Sequence, residues 1–260
     1  MEKKLIFYPR TYRHLKPNKI QFLLMNLFVM IPSLLILMFN IDEITSTIAL
    51  ISANILGEIF PGVAINISMS DYSVLGKMSF VDLPTIYPSV ETAFISTIIM
   101  VLGLVFLSTG SRKGKPIAIF FTIGVTIHLI NSIYFIFAAN YFPYSAFRYS
   151  DLYMKQQIGI WMMFIILSGM IIPMMGSKGT IYKIFTFLGI MSYSIVFGIV
   201  RYIVFLYIIY NFSIFYMAIM FFVLGPAFDF LYLVAIYGIF IDKMVHLYDS
   251  ASGRDEWTWS

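Results

Sequence analysis

Two ionisable residues stand alone inside the longest apolar runs of the chain, Arg201 in Tyr193–Tyr210 and Asp229 in Gly225–Phe240. A charge near the centre of a bilayer costs several kcal/mol, so an acid and a base kept there mark a candidate site. The chemistry open to them is a buried ion pair, an ion or proton path, or a catalytic couple. A rise of ~1.5 Å per residue puts Arg201 roughly 14 Å below Tyr210 and Asp229 roughly 24 Å below Ser213. Around a turn at Asn211–Ser213 the two differ by roughly 10 Å in depth, so direct pairing requires a shifted turn or a tilt.

Other groups match these depths. Pro226 has no N–H, which frees the Phe222 carbonyl at the level of Arg201. A guanidinium with five donors suits such an acceptor. Ser194 is level with Asp229. Ser194, Gly198 and Arg201 share one helical face, and the two small residues allow close helix approach. In "IGVTIHLINS", His128 and Asn131 fall with Gly124 and Ser132 on one side of a third apolar run. The expectation is a polar seam of His128, Asn131, Ser194, Gly198, Arg201, Pro226 and Asp229 between the third, fifth and sixth runs. Hydrogen-bonded glue between helices is its plainest use.

Several chemistries are excluded. Cys is absent, so there is no thiolate metal site, Fe–S cluster or Cys nucleophile. His128 has no second His within an apolar run, and no metal is assigned. No phosphate-binding, dinucleotide, zinc-protease or nucleophile-elbow motif is present. No catalytic residue and no cofactor are assigned. Glu91, Arg148 and Asp151 are outer-surface candidates for any chemistry at the membrane face.

The elements that must position these residues are helices in a bilayer. The 260 residues are 60% hydrophobic and 12% charged, against roughly 25% charged in soluble domains. Six runs are long enough to cross ~30 Å of hydrocarbon: 20–39, 90–108, 116–139, 157–175, 184–210 and 213–241. No small-residue cleavage pattern follows the first, so it reads as a retained anchor. With the N-terminus inside, the inner segments hold Lys3, Lys4, Arg10, Arg13, Lys16, Lys19, Arg112, Lys113, Lys115, Lys178, Lys183, Lys243 and Arg254. The outer ones hold Lys77, Arg148 and Lys155. This bias predicts both termini cytoplasmic.

The whole chain, 1–260, reads as one membrane domain. It has a basic N-terminal segment (1–19), an extracytoplasmic cap (40–89) and a cytoplasmic tail (242–260). In the cap, Ile41, Ile44, Ile48, Ile51, Ile55 and Ile59 form an amphipathic stripe. Alternation from Val63 to Met69, the turn "SVLGK" and Met78–Val81 predict a β-hairpin. Asn66 and Asn211 each open an N-x-S triplet. The loop 140–157 carries Tyr141, Phe142, Tyr144, Phe147, Tyr149 and Tyr153, an expected interfacial belt. Trp257 and Trp259 are expected at the inner interface or on a partner.

An outer strand-like segment leading into a helix (Gly62–Phe94), with "IVRYIV" within Val196–Leu206, resembles the exosortase/archaeosortase membrane transpeptidases. That resemblance implies an outer Cys, then an Arg, then a His. "IYPSVE" stands in place of the Cys motif and no His follows Arg201 within the membrane. Arg201 alone carries over, which implies a non-catalytic relative.

The functional expectation is a non-enzymatic integral membrane subunit of a larger complex. The alternatives are a stand-alone transporter or channel using His128, Arg201 and Asp229, and a membrane enzyme acting at the outer surface. Expected partners are other membrane proteins and a bilayer with anionic inner headgroups. Nucleic acid is not among them. The plasma membrane of a bacterium or archaeon is the default location, with an organelle inner membrane as alternative.

Overall fold

Six apolar helices dominate the computed structural model of this chain, each long enough to cross a bilayer. They are the first span (Lys19–Phe39), second (Val90–Ser108), third (Ile117–Tyr141), fourth (Ala146–Met174), fifth (Thr180–Phe212) and sixth (Ile214–Tyr248). The structure describes residues 13–15, 18–72, 75–109, 116–249 and 257–259. Of the basic residues read as inner, Lys3, Lys4, Arg10, Lys16, Arg112, Lys113, Lys115 and Arg254 lie outside the described residues, as do Ser73 and Val74 of the expected turn.

Two of the described spans contain a π turn. The first passes through a π turn at Asn26–Met30, and the sixth through another at Met220–Leu224. In the first, the Asn26 side-chain amide donates to the Phe22 carbonyl at 2.8 Å. In the sixth, the Gly225 N–H reaches back five residues to the Met220 carbonyl. Such one-turn bulges place an extra residue in a helix and cluster at functional sites.

The fourth span starts about a dozen residues before its expected boundary. Residues 140–157 therefore do not form an aromatic loop. Helix begins at Ala146, and Tyr149 and Tyr153 are buried within it. The first turns hold Arg148, Asp151, Lys155 and Gln157, which hide the helix from a reading by hydropathy. Their charges are tied at helical spacing, Arg148 and Lys155 both to Asp151.

The chain packs as two compact units. One comprises Met1–Ile36, Met162–Ser192 and Leu233–Ser260; the other comprises Leu37–Trp161 and Tyr193–Tyr232. In the first unit, Gly169 lets the Met30 side chain lie directly on the backbone, where a Cβ would collide with it. Gly176, at φ +68°, sits in the turn after the fourth span. There the Tyr248 hydroxyl accepts from the Lys178 N–H at 2.5 Å. Strands β1 (Arg13–Leu15) and β4 (Trp257–Trp259) pair antiparallel, joining the two ends of the chain. Neither strand was expected from sequence.

The second unit carries the expected cap. It is a helix, Ile41–Ile59, followed by strands β2 (Asn66–Asp71) and β3 (Lys77–Asp82) in an antiparallel hairpin. The faces differ from expectation. The cap helix buries Ile41, Thr45, Ile48, Ala49, Ser52 and Leu56, while Ile51, Ile55 and Ile59 stay exposed. Small side chains at Thr45, Ala49 and Ser52 let β3 approach, and the Ser79 N–H donates to Thr45 Oγ1 at 3.0 Å. β3 is the buried strand, with Met78, Ser79, Phe80 and Val81 inaccessible. β2 leaves its apolar residues Ile67 and Met69 exposed.

Replacing Thr45 by Val strands the buried Ser79 N–H and is expected to cost about 1–3 kcal/mol. Thr47→Val, at an exposed position bonded to the Glu43 carbonyl, is the control and leaves stability nearly unchanged. Unfolding of both variants in detergent micelles measures the difference.

Candidate functional site

Arg201 has four polar partners in the second unit. Its Nε donates to the Tyr153 hydroxyl at 2.8 Å and Nη2 donates to Gln157 Oε1 at 2.7 Å. Nη1 donates to the Gly225 carbonyl at 2.7 Å and pairs with Asp229 Oδ2 at 2.9 Å. The guanidinium also lies 5.5 Å from the centre of the Tyr153 ring, within cation–π range. Arg201 and Asp229 are 4% and 6% exposed, so the pair is a neutral unit shielded from the surroundings.

Direct pairing answers the depth mismatch. In a helix the Cα–Cβ bond tilts toward the N-terminus. On antiparallel neighbours, Arg201 therefore leans away from the connecting turn and Asp229 leans toward it. The long arginine side chain covers the rest of the gap.

The carbonyl that Arg201 takes is that of Gly225, three residues beyond the expected Phe222. The π turn re-registers the helix just before Pro226, and Phe222 is exposed. The expected Ser194–Asp229 contact is replaced by a donation from the Tyr232 hydroxyl to Ser194 Oγ at 2.8 Å. Gly198 makes room for the fourth span rather than the sixth: a Cβ there would lie 2.8 Å from Gln157 Nε2. Its carbonyl accepts from the Tyr153 hydroxyl at 3.1 Å.

Tyr153 and Gln157 are the functional residues that the sequence reading missed. They lie one helical turn apart, and that spacing on one face was the available signal. The void beside them, lined by Ile48, Trp161, Gly198 and Tyr202 among others, has no room for a water. The Tyr153 ring stacks on Tyr202, with centroids 5.0 Å apart. The Tyr202 hydroxyl bonds with Ser150 and accepts from the Val81 N–H. A chain of contacts thus runs from Arg201 to β3 of the cap.

His128 and Asn131 form a separate centre. His128 Nε2 is 3.3 Å from Ser96 Oγ, and its ring packs on Phe215 and Tyr216. Ser132 bonds to Ser96 and to the His128 carbonyl, and Asn131 Nδ2 donates to the Phe215 carbonyl. His128 Nδ1 is buried without a hydrogen-bond partner among the described residues. The single seam expected across three spans is thus two clusters. One joins spans four, five and six around Arg201, and the other joins spans two and three to the start of span six.

At the expected outer surface, Asp151 is buried and accepts from Ser70 Oγ of β2 at 2.5 Å. Lys155 lies 2.8 Å and Arg148 3.7 Å from the same carboxylate. This cluster fastens β2 to the fourth span. Glu91 stands exposed in the first turn of the second span. Among the described residues no group of three or more His, Asp or Glu could hold a metal ion.

Fold and composition define a multi-pass membrane protein with a small helix-and-hairpin cap. Comparison with protein-family models, with curated proteins and with solved structures finds no match to this chain.

Removing one partner of a buried ion pair leaves the other uncompensated, at a cost of about 3–5 kcal/mol. Arg201→Met is expected to lose that much stability in detergent unfolding. Arg201→Met combined with Asp229→Leu is expected to recover most of it. A double variant as unstable as the sum of the singles contradicts the pairing.

Proposed function

We propose that this chain is a non-enzymatic, multi-pass subunit of a larger membrane assembly, with the Arg201 centre as its internal fastening. The observation that carries this reading is the contact set of Arg201. Its guanidinium engages two side chains, a backbone carbonyl and a carboxylate, and the void beside Tyr153 and Gln157 is too small for water. A carrier working through Asp229 needs a hydrated cavity at that residue. Such a cavity and a static, filled pair are opposite designs.

The uncovered helices support the same reading. The second span buries little of its surface, and Phe94, Ile98, Ile99, Leu102 and Phe106 are exposed along it. Apolar faces of this extent pack against lipid or against helices of neighbouring proteins. The Lys/Arg bias of the sequence supports cytoplasmic termini as part of this reading, and the plasma membrane is the location we propose.

Extraction in mild detergent followed by gel filtration is expected to return the chain with a membrane partner in fixed stoichiometry. Reconstituted alone in liposomes, it is expected to pass no more protons or small ions than empty vesicles. A solitary chain that conducts, with conduction abolished by Arg201→Met or His128→Ala, overturns the proposal in favour of a transporter.

A further inference from the structure

Within the first unit, the start of the first span lies beside the start of the fifth and leaves an open cavity of about 430 Å³. Its walls are sorted by polarity. Asn18, Gln21 and Thr180 lie at one end, while Leu24, Phe28 and Ile184 line the remainder. From Asn18 to Val29 the trough follows the helix for ~16 Å. Leu24 is half-exposed and Phe28 largely exposed, so its side opens toward the hydrocarbon that surrounds a membrane span.

The polar end is built from donors. Lys183, one of the cations read as inner, is fully buried. Its Nζ donates to the Gly176 carbonyl at 2.7 Å and to Gln21 Oε1 at 2.9 Å. Gln21 Nε2 then donates to Thr180 Oγ1 at 2.5 Å. Each bond polarises the next. The Thr180 oxygen is taken as an acceptor, so its proton is directed to a further acceptor, and Thr180 stands exposed at the mouth. Lys19 is exposed at the same end of the span. The first and fifth spans both begin here, adding the positive ends of two helix dipoles. Residues 18–36 and 162–192 contain no Asp or Glu; among the described residues the acids of this unit are Asp242 and Asp249 of the sixth helix. A donor-rich, cationic mouth above an apolar trough matches an anionic amphiphile.

We propose that this trough binds one anionic phospholipid, its phosphate at Thr180 and Lys19 and one acyl chain along Leu24 and Phe28. The site is independent of the subunit reading and stands or falls separately from it.

The test uses the full chain in detergent micelles doped with phosphatidylglycerol or phosphatidylcholine, with bound lipid counted by native mass spectrometry. One phosphatidylglycerol per chain is expected to persist, with phosphatidylcholine, whose choline cation offsets its phosphate beside Lys19, held about fivefold more weakly, the scale of one lysine against an anionic headgroup. Thr180→Val is expected to weaken retention by about tenfold. Leu24→Trp, at a partly exposed position, fills the trough and is expected to abolish retention while keeping the fold. Should Thr180→Val not fold, Leu24→Trp decides alone. Equal retention of both lipids, or wild-type retention by Leu24→Trp, overturns the proposal. Displacement of the lipid by millimolar inorganic phosphate also overturns it, because the site is then one for the free anion.

Discussion

A guanidinium placed among apolar helices has to find its acceptors inside the protein, since hydrocarbon offers none. Most of the second unit is arranged around that requirement at Arg201. The fourth span supplies Tyr153 and Gln157, and the sixth supplies the Gly225 carbonyl and the Asp229 carboxylate. Three acceptors and one paired carboxylate, from two helices, fix both relative to the fifth. The net charge of the cluster is zero, which lowers the cost of keeping it in a low-dielectric setting. Apolar packing alone would not choose one rotation of each helix over its neighbours, because lipid tails are as apolar as leucine. The arginine selects one.

Several irregularities of the second unit follow from the same constraint. Pro226 and the π turn at Met220–Leu224 interrupt the sixth span just where its backbone meets Arg201. Gly198 is bare so that the Gln157 amide can reach the guanidinium. Tyr153 serves on three sides: it accepts from Arg201, donates to the Gly198 carbonyl and stacks on Tyr202. Through Tyr202 and Val81 the order reaches the cap, which is held a second time by Ser70 on Asp151. Cap and spans of this unit are therefore fastened by polar contacts at several points, Thr85 accepting from the Ala146 N–H and the Ile86 carbonyl from the Ile214 N–H besides these two, with the apolar faces of β3 and the cap helix closed between them.

Much of this was legible in the sequence. Apolar runs located six spans, and period changes located the cap helix and hairpin. Arg201 and Asp229 were visible as charges with no solvent to go to. What escaped had physical causes. Charges at Arg148, Asp151 and Lys155 masked the start of the fourth span, since hydropathy counts each charge and does not see that they neutralise one another. Tyr153 and Gln157 were hidden with it. The depth comparison failed because it followed Cα positions and ignored the opposite lean of side chains on antiparallel helices. The isoleucine stripe of the cap helix misled because close approach of β3 favours small Thr45, Ala49 and Ser52 over bulk. The pairing of Arg13–Leu15 with Trp257–Trp259 joins opposite ends of the chain, and no local pattern announces it.

The central claim is that the Arg201 guanidinium is held static and dry. Hydrogen–deuterium exchange of arginine Nε–H groups, followed by NMR on the protein in lipid nanodiscs, tests it directly, with the exposed Arg148 as internal reference. Protection of Arg201 long after Arg148 has exchanged is the predicted result. Exchange of the two at the same rate would show water at the guanidinium and contradict the account.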